Sequence, residues 1–220
     1  MGKNKLRRFA ELTSLKRIYQ PEVIFGMPDS ELKGHWNKNV FQNNNPVVLE
    51  VGCGRGEYTV ALAERYKDKN FIGIDIKGAR LWRGVKTINE KNILNAAFLR
   101  IRIDFIEKFF TVNEVSEIWI TFPDPQPKLS RENKRLTSAL FLNRYKKFLK
   151  PGAIIYLKTD NYPLYEYSKE VAEKENANIL FATHDLYHSQ LPTIDLETKT
   201  HYENIYLAKG VKICFLKYQV

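Results

Sequence analysis

From Pro46 onward, short apolar runs alternate with stretches of helical periodicity, and that alternation restricts the chain to few folds. Val47-Val48-Leu49-Glu50-Val51 reads as a buried strand and residues 58–66 as a helix. Further strands are expected over 71–75, 97–101, 117–122 and 153–158, and the last two over 179–183 and 211–217. Helices fit 79–91, 163–175 and 138–149, the last capped by Thr137 and stopped by Lys150-Pro151-Gly152. Seven strands interleaved with helices at this spacing predict an α/β, Rossmann-like fold: a mostly parallel sheet with helices on both faces. Ligands of such sheets bind beyond the carboxyl ends of the strands, where strand order reverses. The loops that matter are therefore 52–57, 75–80, 102–105, 122–136 and 159–162. The 220 residues suit one domain over 46–220, preceded over 1–45 by a basic arm and one or two flanking helices.

The first of these loops is Gly52-Cys53-Gly54-Arg55-Gly56-Glu57. Glycines there let the backbone turn sharply and let a ligand approach closely. A dinucleotide fingerprint has G-x-G-x-x-G. Here the third glycine comes one residue early, and Glu57 stands where it would repel a pyrophosphate. Glu50 ahead of the loop suits a ligand with a positive end. Asp75, ending the second strand, is placed to accept two ribose hydroxyls. S-adenosylmethionine has a ribose, an adenine, an ammonium and a sulfonium, and no phosphate. Asp104, after the third strand, either accepts from the adenine amine or caps the next helix. A nucleotide-binding dehydrogenase is the competing reading, and the early glycine and Glu57 oppose it.

Charge is concentrated. Of the net +10, residues 1–17 carry +5 and residues 125–150 carry +7, leaving −2 for the rest. Two such blocks point to a polyanionic partner. Residues 1–8 offer no apolar anchor and are expected to be mobile without that partner. No run of about 18 apolar residues exists, so no membrane span is expected. The basic N-terminus lacks an apolar signal-peptide centre. Cys53 and Cys214 form neither a disulfide framework nor a metal spacing, and the four histidines have no ligand pattern. A cytoplasmic protein without metal is expected; monomer and homodimer both stay open.

Between the fourth strand and the second basic block lies Phe122-Pro123-Asp124-Pro125, followed by Lys128. The prolines stiffen the loop because each fixes φ, so Asp124 is held where that strand ends. Alone, the segment also reads as a proline-rich turn with an Asx cap.

Taken in order, several motifs resemble the bacterial tRNA (guanine-N7-)-methyltransferases. They are Glu50-Val51-Gly52-Cys53-Gly54-Arg55-Gly56, Gly73-Ile74-Asp75, Phe122-Pro123-Asp124-Pro125 with Lys128, Lys134-Arg135-Leu136-Thr137, Lys158-Thr159-Asp160-Asn161 and Thr200-His201-Tyr202-Glu203. The resemblance spans 46–210. It implies a class I methyltransferase fold, S-adenosylmethionine as methyl donor, and transfer to N7 of a tRNA guanine, in the family the variable-loop guanine. It assigns Glu50, Gly52, Gly54, Asp75, Asp104 and Asp124 to the donor, with Asp124 also catalytic. Lys128, Asp160, Thr200, His201, Tyr202 and Glu203 are assigned to the substrate. Ser130, Arg131, Glu132, Asn133, Lys134 and Arg135 fall where the family binds RNA. Two positions depart: Gln126 replaces the usual Trp, and Ser130 a frequent basic residue. A non-catalytic RNA-binding module on the same fold is the remaining alternative, and the intact acid set speaks against it.

Overall fold

The structure, a computed structural model, describes residues 3–190 and 198–220, the side chains of 3, 4 and 201 excepted. Its centre is one sheet of eight strands: β1 (Ile18–Tyr19), β2 (Val47–Val51), β3 (Asn70–Ile74), β4 (Ala96–Leu99), β5 (Val115–Thr121), β6 (Leu149–Thr159), β7 (Asn178–Thr183) and β8 (Cys214–Gln219). Their spatial order is β1-β4-β3-β2-β5-β6-β8-β7, and all neighbours are parallel except β8, which runs antiparallel to β6 and β7. Strand order reverses between β2 and β5, where Leu49 pairs with Ile72 on one side and Ile118 on the other.

β2 shows why the sheet sits in the middle. Every residue in it is buried. Val47, Leu49 and Val51 join the apolar core on one face, with Ile120 and Leu157, while Val48 joins the core on the other, with Phe98 and Phe215. A strand covered on both faces reads as a continuous apolar run. Helices α2 (Glu57–Arg65), α3 (Gly78–Glu90), α4 (Ala139–Lys146), α5 (Tyr162–Lys174) and α6 (His201–Ala208) complete the layers. Among the described residues, no helix is long and apolar enough to cross a membrane.

Three expectations need correction. The sheet has eight strands, because Ile18–Tyr19 adds a short parallel strand beside β4: Phe98 N–H donates to the Arg17 carbonyl and Arg100 N–H to that of Tyr19. Two residues carry no period-2 signal, so the pattern alone does not reveal it. The cap of α4 is Ser138, whose Oγ accepts from Phe141 N–H; the Thr137 hydroxyl instead accepts from Ser168. Within residues 1–8, Arg8 does make a contact with the domain; residues 1 and 2 lie outside the described residues. Lys3–Leu12 forms helix α1, which buries Leu12, lays the Arg8 guanidinium 4.9 Å from the Trp82 ring, and accepts the Trp82 indole N–H on Glu11 at 2.6 Å. For Arg8 that contact is a cation on an aromatic face, which a search for apolar residues overlooks.

Candidate active site

The loops after β2, β3, β4 and β5 enclose a cavity of about 430 Å³ at the point where strand order reverses. Its walls include Gly52, Asp75, Asp104, Phe122, Asp124 and Lys134. A smaller hollow of about 70 Å³ adjoins it through Gly52 and Phe122 and is lined by Glu50, Thr121, Thr200 and Tyr202. Together they have the dimensions of a small-molecule site.

The glycine loop explains its own spacing. Gly56 has φ +68 and precedes α2, and a Cβ there would meet the Phe98 ring at 2.3 Å. The early third glycine therefore lets the loop close onto a core phenyl ring, a use unrelated to a pyrophosphate. Gly54 has φ +56, and a Cβ on it would meet nothing within 4 Å. Its backbone thus borders open space beside the cavity.

The acids differ in how they are held. Asp75 accepts the Gly54 N–H on one oxygen (2.9 Å) and the Lys77 N–H on the other (2.7 Å). Each oxygen keeps a lone pair, so a fixed two-pronged acceptor faces the cavity. Glu50 is almost fully buried. It accepts from Thr59 N–H at 2.8 Å, the Thr59 hydroxyl and, at 2.6 Å, the Thr121 hydroxyl. Burial outweighs these bonds and pushes its carboxyl up to about 7.

Because the folded value exceeds the unfolded one, the stability Glu50 contributes is full below about 4.5 and is lost as pH rises through about 7. The difference amounts to about 3 kcal/mol. Glu50→Gln should remove that loss: urea unfolding at pH 5 and pH 8 should show the variant gaining on the wild type as pH rises. A wild-type-like pH profile in the variant would mean that Glu50 stays ionised throughout.

Asp104 lies in a short 3-10 helix, Ile103–Lys108, within its first turn and not at its cap. Burial tends to raise its carboxyl, but Arg102 at 3.0 Å and Arg144 at 3.3 Å hold it below the usual carboxylate range. Asp104 thus lines the cavity as an ion-paired acid.

Phe122 directly follows β5 with φ +47, a strained conformation for an aromatic residue. Its ring stacks on Tyr206 at 5.9 Å, and Tyr206 lies beside Asp160. Asp124 follows, exposed, and one of its oxygens accepts the Gln126 N–H at 3.1 Å in an Asx turn. Both readings of the sequence thus hold together: the segment is an Asx turn, and Asp124 borders the cavity. Arg135 donates twice to the Gln126 carbonyl at 3.3 Å and lies 4.2 Å from the Tyr167 ring. At Gln126 it is the backbone that the loop uses.

The second charge block divides. Arg144 pairs with Asp104 and Glu107, Lys147 with Glu107 and Lys146 with Glu175, so the end of α4 is a neutralised face. Lys128, Arg131 and Lys134, on and beside the 3-10 helix Leu129–Lys134, are exposed and have no ion pair among the described residues. Ser130 and Asn133 are exposed between them; Glu132 is half-buried and bonds Tyr167.

The four residues 200–203 also separate. Thr200 and Glu203 form a reciprocal capping box at the start of α6. Glu203 is wholly buried, 2.6 Å from the buried Lys158 ammonium, and accepts the Tyr187 hydroxyl at 2.5 Å. Tyr202 is 45% exposed and lines the Glu50 hollow. The side chain of His201 lies outside the described residues. Sequence reading missed Thr121 as a partner of Glu50 and Lys158 as a partner of Glu203. A single lysine inside the apolar run 153–158 was the available signal for the second.

A Rossmann-like sheet whose reversal point carries a glycine loop, with one acid after β3 and another in the loop after β5, has the architecture of a class I methyltransferase. Solved structures agree on the fold. An antibiotic-related methyltransferase superposes with TM-score 0.63 at 18% identity, covering 90% of this chain and 99% of that one. A 16S rRNA methyltransferase gives TM-score 0.65 at 14% identity, over 87% and 95%. The family model described as a methyltransferase matches residues 44–216. The tRNA (guanine-N(7)-)-methyltransferase of Bacteroides thetaiotaomicron is 46% identical over all of this chain and 87% of its own length. That of Christiangramia forsetii is 48% identical, over all of this chain and 99% of its own. The chain belongs to the tRNA (guanine-N(7)-)-methyltransferase family.

Proposed function

We propose that this protein is a cytoplasmic enzyme that methylates N7 of a guanine in tRNA, the variable-loop guanine, using S-adenosylmethionine. The observation that carries the reading is the convergence of Glu50, Asp75 and Asp124 on adjoining cavities, with Lys134, the last of the unpaired cations of 128–134, in the wall. The residues fit the donor. Asp75 offers two fixed acceptors for ribose hydroxyls, Gly54 leaves its flank open, and buried Glu50 suits a cationic group. Asp104, a cavity wall residue whose charge is shared with two arginines, is the acid assigned to the adenine amine. Bound there, S-adenosylmethionine supplies an electrophilic methyl group.

The chemistry asks little proton transfer of the protein. Guanine N7 already carries a lone pair, so no base has to act before it attacks. As the bond forms, the guanine ring becomes a cation. What the protein supplies is position and a fixed negative charge beside that ring. Asp124 provides the charge. Asp160, at the end of β6, is the second acid available to the guanine edge. Lys128, Arg131 and Lys134 take RNA phosphates, with Ser130 and Asn133 between them. Tyr202 is the member of 200–203 with surface to offer the base, while Thr200 and Glu203 hold it there through the α6 cap.

Labelled methyl should pass from the donor into tRNA and not into ribosomal RNA. Equal labelling of both, or none, would overturn the assignment. Counterion release makes phosphate contacts salt-dependent. Reversing Arg131 and Lys134 to Glu should therefore weaken tRNA binding and flatten its salt dependence by roughly one unit of slope per lost contact. An unchanged slope would make the strip ordinary surface.

A further inference from the structure

A second cleft, also about 430 Å³, adjoins the first site: it shares Arg80 with the donor cavity, and Gly54, Arg55, Glu57, Arg80 and Tyr202 with the Glu50 hollow, while Arg8 and Arg83 belong to the cleft alone. Its walls carry four guanidiniums, those of Arg8, Arg55, Arg80 and Arg83, against one carboxylate, Glu57. Arg55 approaches that carboxylate at 3.9 Å. Arg8, Arg80 and Arg83 have no carboxylate partner among the described residues. The Arg8 Nε–H is buried with no hydrogen-bond acceptor among the described residues, while its guanidinium rests on Trp82. A buried donor left unsatisfied is costly and calls for an acceptor.

We infer that this cleft, between α1 and the start of α3, is a seat for a backbone phosphate of the RNA, distinct from the strip at 128–134. Guanidinium forks match phosphate oxygens in shape and charge. The donor has a single carboxylate, too little anion for three unpaired guanidiniums, and its ammonium and sulfonium are repelled here. The placement has a reason. Lys134, on the 3-10 helix Leu129–Lys134, and Arg80, on α3, both border the donor cavity. A nucleotide whose base enters the cavity has a phosphate on each side, and a cationic seat at each border holds the strand on both flanks of the target. This rests on the tRNA reading above.

Arg83 is exposed, so Arg83→Ala leaves the core untouched. The expected result is tRNA binding about tenfold weaker at low salt, with the salt slope reduced by roughly one. Arg83→Lys should keep the slope, and donor affinity without RNA should stay as in the wild type. A wild-type slope in Arg83→Ala, beside a flattened slope in the Arg131/Lys134 variant, would overturn the cleft while leaving the tRNA reading intact. Loss of donor affinity in Arg83→Ala would also overturn it, making the cleft a donor subsite. Wild-type protein that binds no tRNA would overturn both readings.

Discussion

Asp124→Asn is expected to lower turnover about 10²–10³-fold, the loss typical of removing one preorganised electrostatic group. The loop makes this substitution a clean one. One oxygen of Asp124 closes the Asx turn onto Gln126 N–H, and an Asn oxygen can accept the same bond. The prolines and the Arg135 bonds to the Gln126 carbonyl remain. What disappears is the charge. Guanine is neutral before transfer and cationic after it, so a fixed carboxylate stabilises the transition state more than the bound substrate, which is the condition for raising turnover. Affinity for tRNA should change little, because phosphate contacts dominate it. Single-turnover kinetics at saturating donor and tRNA separate the effects. A variant within about threefold of wild type would make Asp124 a loop-shaping residue only.

Glu203→Ala should have the largest effect on stability. Glu203 and Lys158 are both fully buried and 2.6 Å apart. Removing one partner of such a pair costs about 3–5 kcal/mol, because it strands the other charge away from water. In a chain of this size that is a fall in Tm of roughly 6–20 °C. The half of the α6 capping box that Glu203 supplies, its bond from Thr200 N–H, is lost at the same time. Replacing both partners, Lys158→Met with Glu203→Leu, should recover much of the loss, since an apolar pair needs no compensation. If Glu203 instead contacts RNA, Glu203→Ala keeps its Tm and loses tRNA affinity. Calorimetry and tRNA binding on the same samples distinguish the two.

The sequence motifs of 200–203 point to the substrate as a group, but burial divides them. Thr200 and Glu203 turn inward, and Tyr202 faces outward. Motif order cannot show this, because Glu203 finds its partner 45 residues back, on β6. Most of the sheet was legible, since strands covered on both faces such as β2 are continuous apolar runs between turn signals. The acids at strand ends were legible for the same reason: their position follows from where the runs stop. Less visible was anything fixed by tertiary pairing. Ile18–Tyr19 is too short to show a period. Arg144, Lys146 and Lys147 look like part of a basic block until their partners Asp104, Glu107 and Glu175 are brought beside them. Likewise, Arg8 of α1 lies 72 and 75 residues before Arg80 and Arg83 of α3 in sequence, and all three line a single cleft in space.

The central claim is a methyl group placed on N7 of a tRNA guanine, and nucleoside analysis of the product tests it most directly. The protein is incubated with labelled S-adenosylmethionine and unmodified tRNA, the tRNA is digested, and the labelled nucleoside is identified by mass spectrometry. The expected label is in 7-methylguanosine, mapped to the variable loop. Label in any other nucleoside, or 7-methylguanosine formed equally well by Asp124→Asn, would contradict it.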